Sequence, residues 1–252
     1  MNEDTMQKMR QLKFYGMCHA FKTCLENDQK AAFTADELIS FLIEAEWEDR
    51  NNRRIERNLR NARFRYKANV EQLIFDAERN LDKNQLMRFA ECTFIDKAEN
   101  ILITGSAGTG KSYIASSLGN QACTLGYKVL YASSEKLFSL LKMANADGGY
   151  IKEIARIEKQ GLIILDDFGM QPFDNSSRSA LMEIIEDRHG KRSTIITSQL
   201  PVQKWYGAIG EKTVADAILD RIVHDAHRIE LVGEPLRKRK AINKKEVLET
   251  VN

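Results

Sequence analysis

Gly105-Ser106-Ala107-Gly108-Thr109-Gly110-Lys111-Ser112 decides how this chain folds, because it satisfies the phosphate-loop pattern G-x-x-x-x-G-K-[ST] without a mismatch. Glycines let the backbone turn tightly and aim its N–H groups at phosphate oxygens. In such a loop Lys111 reaches the β- and γ-phosphates, and the Ser112 hydroxyl is offered to Mg2+. A helix opening at Lys111 adds the positive end of its dipole. Residues Gly105 to Ser112 are therefore predicted to hold a nucleoside triphosphate together with Mg2+.

The flanking sequence has the order that such a loop requires. Glu99 to Thr104 reads as a buried parallel strand running straight into it. Further on, Leu162-Ile163-Ile164-Leu165 is a second apolar strand ending in Asp166-Asp167. This is a Walker B pattern: an aspartate at the carboxyl end of a strand beside the loop can hold Mg2+, and the next acidic residue can orient or deprotonate an attacking water. Taken alone the segment reads first as a core strand followed by a solvated acidic turn. The phosphate loop upstream favours the catalytic alternative.

From about Phe94 onward, apolar runs of strand length alternate with helix-sized amphipathic segments, which predicts an α/β fold with a parallel sheet flanked by helices. Lys128 to Ala132 is the next strand, Ser134 to Met143 the next helix and Asp147-Gly148-Gly149 a turn. Ser177 to Arg188 reads as a helix stopped by Gly190. Ser193 to Gln199 reads as a strand with a polar ending, so Thr197, Ser198 or Gln199 could reach the γ-phosphate or the attacking water. Arg228 to Val232 is the last predicted strand.

The preceding part reads as all-helical, giving a compositional division into 1–91 and 92–252. Met9, Leu12, Phe14, Met17 and Phe21 suggest one short amphipathic helix, and Asp82 is a candidate cap for a helix over 81–94. Thr34 and Glu37 form a capping box ahead of Leu38, Phe41, Leu42 and Ala45. Arginines follow on the same helix. Arg50, Arg53, Arg54, Arg57 and Arg60 recur at intervals of three and four and share a face, with Arg63, Arg65 and Lys67 beyond; Glu56 is the one acidic residue between Arg50 and Lys67. Such a ridge suits nucleic-acid phosphates, and contacts of that kind carry no sequence preference. A solvated helix face is the alternative.

Composition sets limits on the rest. The chain has 252 residues, 43% of them hydrophobic and 29% charged, enough for one α/β domain and something smaller. The formal net charge of +2 conceals the local excess of arginine. No apolar run approaches the ~20 residues needed to cross a bilayer, and no apolar leader opens the chain, which points to the cytoplasm and to no membrane partner. Cys18, Cys24, Cys92 and Cys123 lack metal-site spacing and read as buried free thiols.

Taken together, these fragments resemble AAA+ ATPases of the IstB type, transposition helper proteins related to the DnaC helicase loaders. The resemblance runs nearly end to end. It is carried by Gly105 to Ser112, by Leu162 to Gly169, by Ser193 to Pro201 with Thr197-Ser198-Gln199, by Trp205, and by Ala217 to His224 with Gly233-Glu234. Leu12 to Ala20 and Glu44 to Arg50 resemble the family's leading helical domain. The resemblance implies an ATP-dependent homo-oligomer that binds double-stranded DNA and helps a cognate transposase to capture target DNA.

It also implies roles for particular residues: Lys111 and Ser112 on phosphate and Mg2+, Asp166 on the metal, and Asp167 as base or water-positioning group. Gln199 stands at the sensor position usually held by Asn, keeping the amide on a longer stem. Arg221 matches the candidate arginine finger that acts on a neighbouring subunit's nucleotide; a surface ion pair with Asp220 or Asp225 is the alternative. After Gly233 too little chain remains for the helical lid common among AAA+ proteins. Where the family reads Gly-Glu-Ser-Tyr-Arg, this chain has Gly233-Glu234-Pro235-Leu236-Arg237, so Arg237 keeps its place as a candidate nucleotide contact. Arg237 to Lys240 would equally serve as a second DNA patch or a solvated tail.

The sequence leaves a DnaC-like helicase loader acting on single strands as the alternative function. A small-molecule kinase on the same core ranks behind both, because the extra length goes into an arginine-rich helix and not into an acceptor pocket.

Overall fold

The computed structural model describes residues 2–26, 33–75 and 79–236. They divide into two compact units, one up to Arg57 and one from Asn58. The packing boundary thus falls earlier than the compositional one near Glu91. The reason is that Ala62, Leu81, Leu86 and Phe89 belong to the same buried cluster as the central sheet, so the segment from Asn58 to Glu91 is part of that unit's core.

The first unit is helical. The apolar spacing predicts a single amphipathic helix over its opening residues, but the chain forms two, α1 (Asn2–Gln11) and α2 (Tyr15–Glu26). Between them Lys13 takes the left-handed conformation, with φ 61°. The long helix α3 (Ala35–Ala62) follows. Its capping box forms as read: Thr34 N donates to Glu37 Oε2 at 2.7 Å, and Glu37 N to Thr34 Oγ1 at 3.3 Å. Gly16 permits a close crossing of α2 and α3, since a Cβ there would stand 2.7 Å from Asp49 Cβ.

The second unit takes in the last turn of α3. It continues with α4 (Lys83–Ala90), capped by Asp82 through Asn84 N at 2.7 Å, and the single turn α5 (Thr93–Asp96). Strand and helix then alternate: β1 (Asn100–Gly105), α6 (Lys111–Thr124), β2 (Val129–Ser133), α7 (Ser134–Ala146), α8 (Tyr150–Glu158) and β3 (Leu162–Asp166). The order continues with α9 (Asn175–Arg188), β4 (Ser193–Ser198), α10 (Trp205–Ile209), α11 (Lys212–Val223) and β5 (Ala226–Leu231). Helix α8 is one that the hydrophobic pattern does not predict.

All five strands are parallel, in the order β2-β3-β4-β1-β5. Both faces are covered, which is why the central strands read as unbroken apolar runs. Ile101, Ile103, Leu162 and Ile164 pack on one side with Ile114 and Leu118 of α6. Leu102, Ile163, Leu165 and Ile196 pack on the other with Leu181, Ile184 and Ile218. The two nucleotide motifs predict that β3 ends beside the phosphate loop, and Asp166 at its end does reach Ser112. In the structure β4 lies between β1 and β3, so any contact between their carboxyl ends must pass β4.

The expectation that no helical lid follows the last strand concerns the chain beyond Leu236, outside the described residues. The same holds for Arg237 and the basic run to Lys240.

Candidate nucleotide site

The phosphate loop joins β1 to α6 and takes its shape from Gly105, Gly108 and Gly110, whose φ angles are 145°, 83° and 96°. A side chain at Gly108 would be strained by that angle, and its Cβ would meet Pro235 Cβ at 2.7 Å. Within the loop Thr109 Oγ1 donates to Ser106 O at 2.9 Å, and Lys111 Nζ donates to Gly105 O and Ser106 O, each at 2.8 Å. Burial depresses the Lys111 pKa below its ordinary value, and Asp167 and Asp166 oppose the shift. The ammonium is therefore buried, close to two carboxylates and, among the described residues, bonded only to loop carbonyls that a phosphate could replace.

Across from the loop, Asp166 is fully buried at the end of β3. Its carboxylate accepts from Ser112 Oγ at 2.7 Å, and closely from Tyr131 Oη and Thr197 Oγ1. Burial, then the bond to Asp166, push the Tyr131 phenol up, so it remains a donor. Thr197 sits on β4, the strand between β1 and β3. Its hydroxyl also accepts from Asp167 N at 3.2 Å. Asp167 has φ 56°, a left-handed conformation that costs a non-glycine residue energy and recurs at functional sites. That turn leaves its side chain about one-third exposed at the cavity wall.

The polar end of β4 divides its tasks. Thr197 serves the aspartates, Ser198 Oγ donates to Phe168 O at 2.6 Å, and only Gln199 of the three lines the cavity. Thr197 and Ser198 therefore do not take the phosphate-facing places that the sequence left open to them. The cavity itself has a volume of about 1040 Å³, room for a nucleoside triphosphate, and is walled by the loop, Tyr66, Leu73, Ile74, Tyr113, Asp167 and Leu236.

Two arginines at this site carry no motif. Arg65 places Nη1 3.2 Å from Asp167 Oδ2 and 3.5 Å from Asp166 Oδ2. In the sequence it is one more member of a basic run. Arg79 is 4% exposed and donates to Ile74 O at 2.6 Å and to the loop carbonyl Thr109 O at 2.5 Å. Arg221, the candidate finger, stands on α11 away from this cavity wall. Its Nη1 donates to Ala217 O at 2.8 Å and its Nη2 lies 3.5 Å from Glu186 Oε1, so its ion pair is with Glu186 and not with Asp220 or Asp225.

On α3, Arg50, Arg53, Arg54, Arg57 and Arg60 are all exposed, as is Arg63 just beyond it. Arg50 pairs with Glu46 at 2.6 Å and lies over the Phe14 ring; Arg53 pairs with Asp49 at 2.5 Å and lies over Tyr15. Those two arginines fasten α3 to the start of α2. Arg54 bonds Asn51 Oδ1 at 2.8 Å, and among the described residues Arg57, Arg60 and Arg63 form no ion pair.

The sequence profile of the IstB-like ATP binding protein family matches residues 7–244. This chain belongs to that family. The IstB-like protein is 42% identical to insertion sequence ATP-binding protein y4pL of Sinorhizobium fredii, over 93% of this chain and 96% of that one. It is 27% identical to the insertion sequence IS21 ATP-binding protein of Pseudomonas aeruginosa, over 92% and 89% of the two chains. Among solved structures, the DnaC helicase loader matches at a TM-score of 0.58 and 18% identity, covering 66% of this chain and 98% of that one. AMPPCP-bound DnaA from Aquifex aeolicus also reaches 0.58, at 21% identity, covering 74% and 56%. At these identities the structural likeness establishes the AAA+ fold; the family assignment establishes an ATP-binding protein of insertion sequences. No described helix of the IstB-like protein is long and apolar enough to cross a membrane.

Proposed function

We propose that this protein is an ATP-controlled assembly factor: it oligomerises on duplex DNA, hydrolyses ATP slowly, and assists the transposase of its insertion sequence in capturing target DNA. The observation that carries this reading beyond ATP binding is the exposed cation series Arg57 and Arg60 on α3 and Arg63 just beyond its end, none of which forms an ion pair among the described residues. Unpaired guanidiniums on one helix suit a phosphate backbone and would make affinity fall steeply with salt. Arg50 and Arg53 contribute less, being engaged with Glu46 and Asp49.

In this reading Lys111 exchanges its bonds to Gly105 O and Ser106 O for the β- and γ-phosphates. The Ser112 hydroxyl and Asp166 carboxylate, 2.7 Å apart, are hard oxygen donors of the kind Mg2+ takes, and they fit it. When bound, the ion supplies charge neutralisation on the phosphate oxygens. Asp167 accepts a proton from, or orients, the attacking water, and Gln199 holds the γ-phosphate side of the cavity. Arg221 leaves Glu186 to reach a neighbouring subunit's nucleotide. Asp167 is a shorter carboxylate than Glu and reaches less far, in keeping with a slow timing reaction.

A helicase-loader role has one observation in its favour. Ile39, Ile43 and Trp47 form an exposed apolar stripe at intervals of four on α3, the kind of face that docks a protein partner. Sizing the protein with ATP, alone and with duplex or single-stranded DNA, separates the readings. ATP-dependent assembly on duplex is the expected result; assembly only in the presence of a helicase would overturn it.

A further inference from the structure

Arg65 sits where no motif placed it, and its surroundings hold it there. Phe64 fills the space over Gly119, where a Cβ would meet its Cε1 at 2.5 Å, and packs edge-on to Tyr131 with centroids 6.2 Å apart. Asn58, in the last turns of α3, donates to Gly126 O and Tyr127 O at 3.2 and 3.1 Å. The backbone on either side of Arg63, which takes φ 57°, is thereby anchored to the nucleotide-binding unit. The Arg65 side chain is 49% exposed and leans toward the Tyr66 ring at 5.7 Å.

Its partners need a cation. Asp166 is buried and Asp167 adjoins it, and the Lys111 ammonium is bonded to loop carbonyls. Among the described residues Arg65 is the cation within ion-pair distance of both carboxylates. Adjacent carboxylates in a partly buried site attract whichever cation reaches them, a guanidinium or a metal.

We infer that Arg65 is a counter-ion latch, a positioning residue that holds Asp166 and Asp167 in the metal-free protein and competes with Mg2+ for them. Loading of the site with Mg2+ and ATP then requires Arg65 to let go. Because Arg65 follows closely on the end of α3, the release occurs next to the arginine-bearing helix in the chain. The inference rests on the Ser112–Asp166 metal site proposed above and on no claim about DNA.

The test is a Mg2+ titration of ATP binding, followed with a fluorescent ATP analogue at fixed concentration, on the full chain and on Arg65→Ala and Arg65→Lys. Arg65→Ala should reach half-saturation at about three- to tenfold lower Mg2+ than the wild type, the size expected from losing half-exposed ion pairs. Arg65→Lys, which keeps a cation within reach, should fall between the two. An unchanged or higher midpoint in Arg65→Ala overturns the latch alone. Wild-type ATP binding that is indifferent to Mg2+ would overturn the metal site and the latch together.

Discussion

Ser112 Oγ donates a 2.7 Å hydrogen bond to Asp166 Oδ1, joining the start of α6 to the end of β3 across the intervening strand β4. Tyr131 and Thr197 hold the same carboxylate through two further hydrogen bonds, which fix its orientation. Ser112→Ala should therefore weaken ATP binding in Mg2+ by about tenfold to a hundredfold, the value of one hydrogen bond to a charged group. In EDTA the variant should match the wild type. Calorimetric titration in the two buffers checks this.

The pH dependence of ATP binding should follow Lys111. Its pKa is lowered from 10.5 by burial, so the free protein loses the ammonium at a pH where an ordinary lysine keeps it. ATP affinity should decline on the alkaline side, beginning below pH 10.5. The apo protein's stability changes in the opposite sense. Between the lowered folded pKa and 10.5 the unfolded chain binds more protons, so this group's contribution to stability rises with pH. Paired binding and melting series would separate the two, and Lys111→Met should flatten both.

On α3 the arginines divide by partner. Removing Arg54, Arg57 and Arg60 together should lower the slope of log affinity for duplex against log salt by about 0.9 for each phosphate that is no longer neutralised, uniformly across DNA sequences. Arg50→Ala should instead act mainly on the first unit, where it breaks the pair with Glu46 and uncovers Phe14. Fluorescence anisotropy over a salt series, with thermal melts, measures both effects.

Gly119 tests the packing of the Arg65 segment. Alanine in a helix interior normally gains up to about 1 kcal/mol over glycine. Here its Cβ would meet Phe64 Cε1 at 2.5 Å and Ile164 Cδ1 at 2.7 Å. Overpacking of that kind costs about 1–3 kcal/mol, so Gly119→Ala should lower stability in denaturant melts. In a Phe64→Leu background, which frees the space, the penalty should shrink or change sign.

Much of the nucleotide site is legible in the sequence because its signals are local. The phosphate loop, the apolar strand ending in Asp166-Asp167 and the Thr34–Glu37 capping box each fit within one short window, and each forms as read. What escapes depends on residues distant in sequence. Arg65 and Asp166 are separated by 101 positions, and nothing about an arginine in a basic run says that it will lie on a carboxylate pair. Arg79 becomes a loop support only because it is buried beside Thr109.

Helix-level misses have local causes too. The break between α1 and α2 falls at Lys13, with no glycine or proline to announce it, so the apolar periodicity on either side reads as one helix. Helix α8 buries only Ile154 and Ile157 and leaves Ile151 exposed, too short a stripe to register as a repeating pattern. The position of β4 between β1 and β3 follows from strand order, which periodicity does not encode.

ATP at this site is proposed to control assembly on DNA. The most direct test of that control is the mass of wild type and Lys111→Ala on duplex DNA, with ATP and without, by light scattering coupled to size exclusion. The wild type should form a large ATP-dependent complex, and Lys111→Ala none. If Lys111→Ala assembled on duplex as the wild type does, with the same salt slope, ATP control would be contradicted.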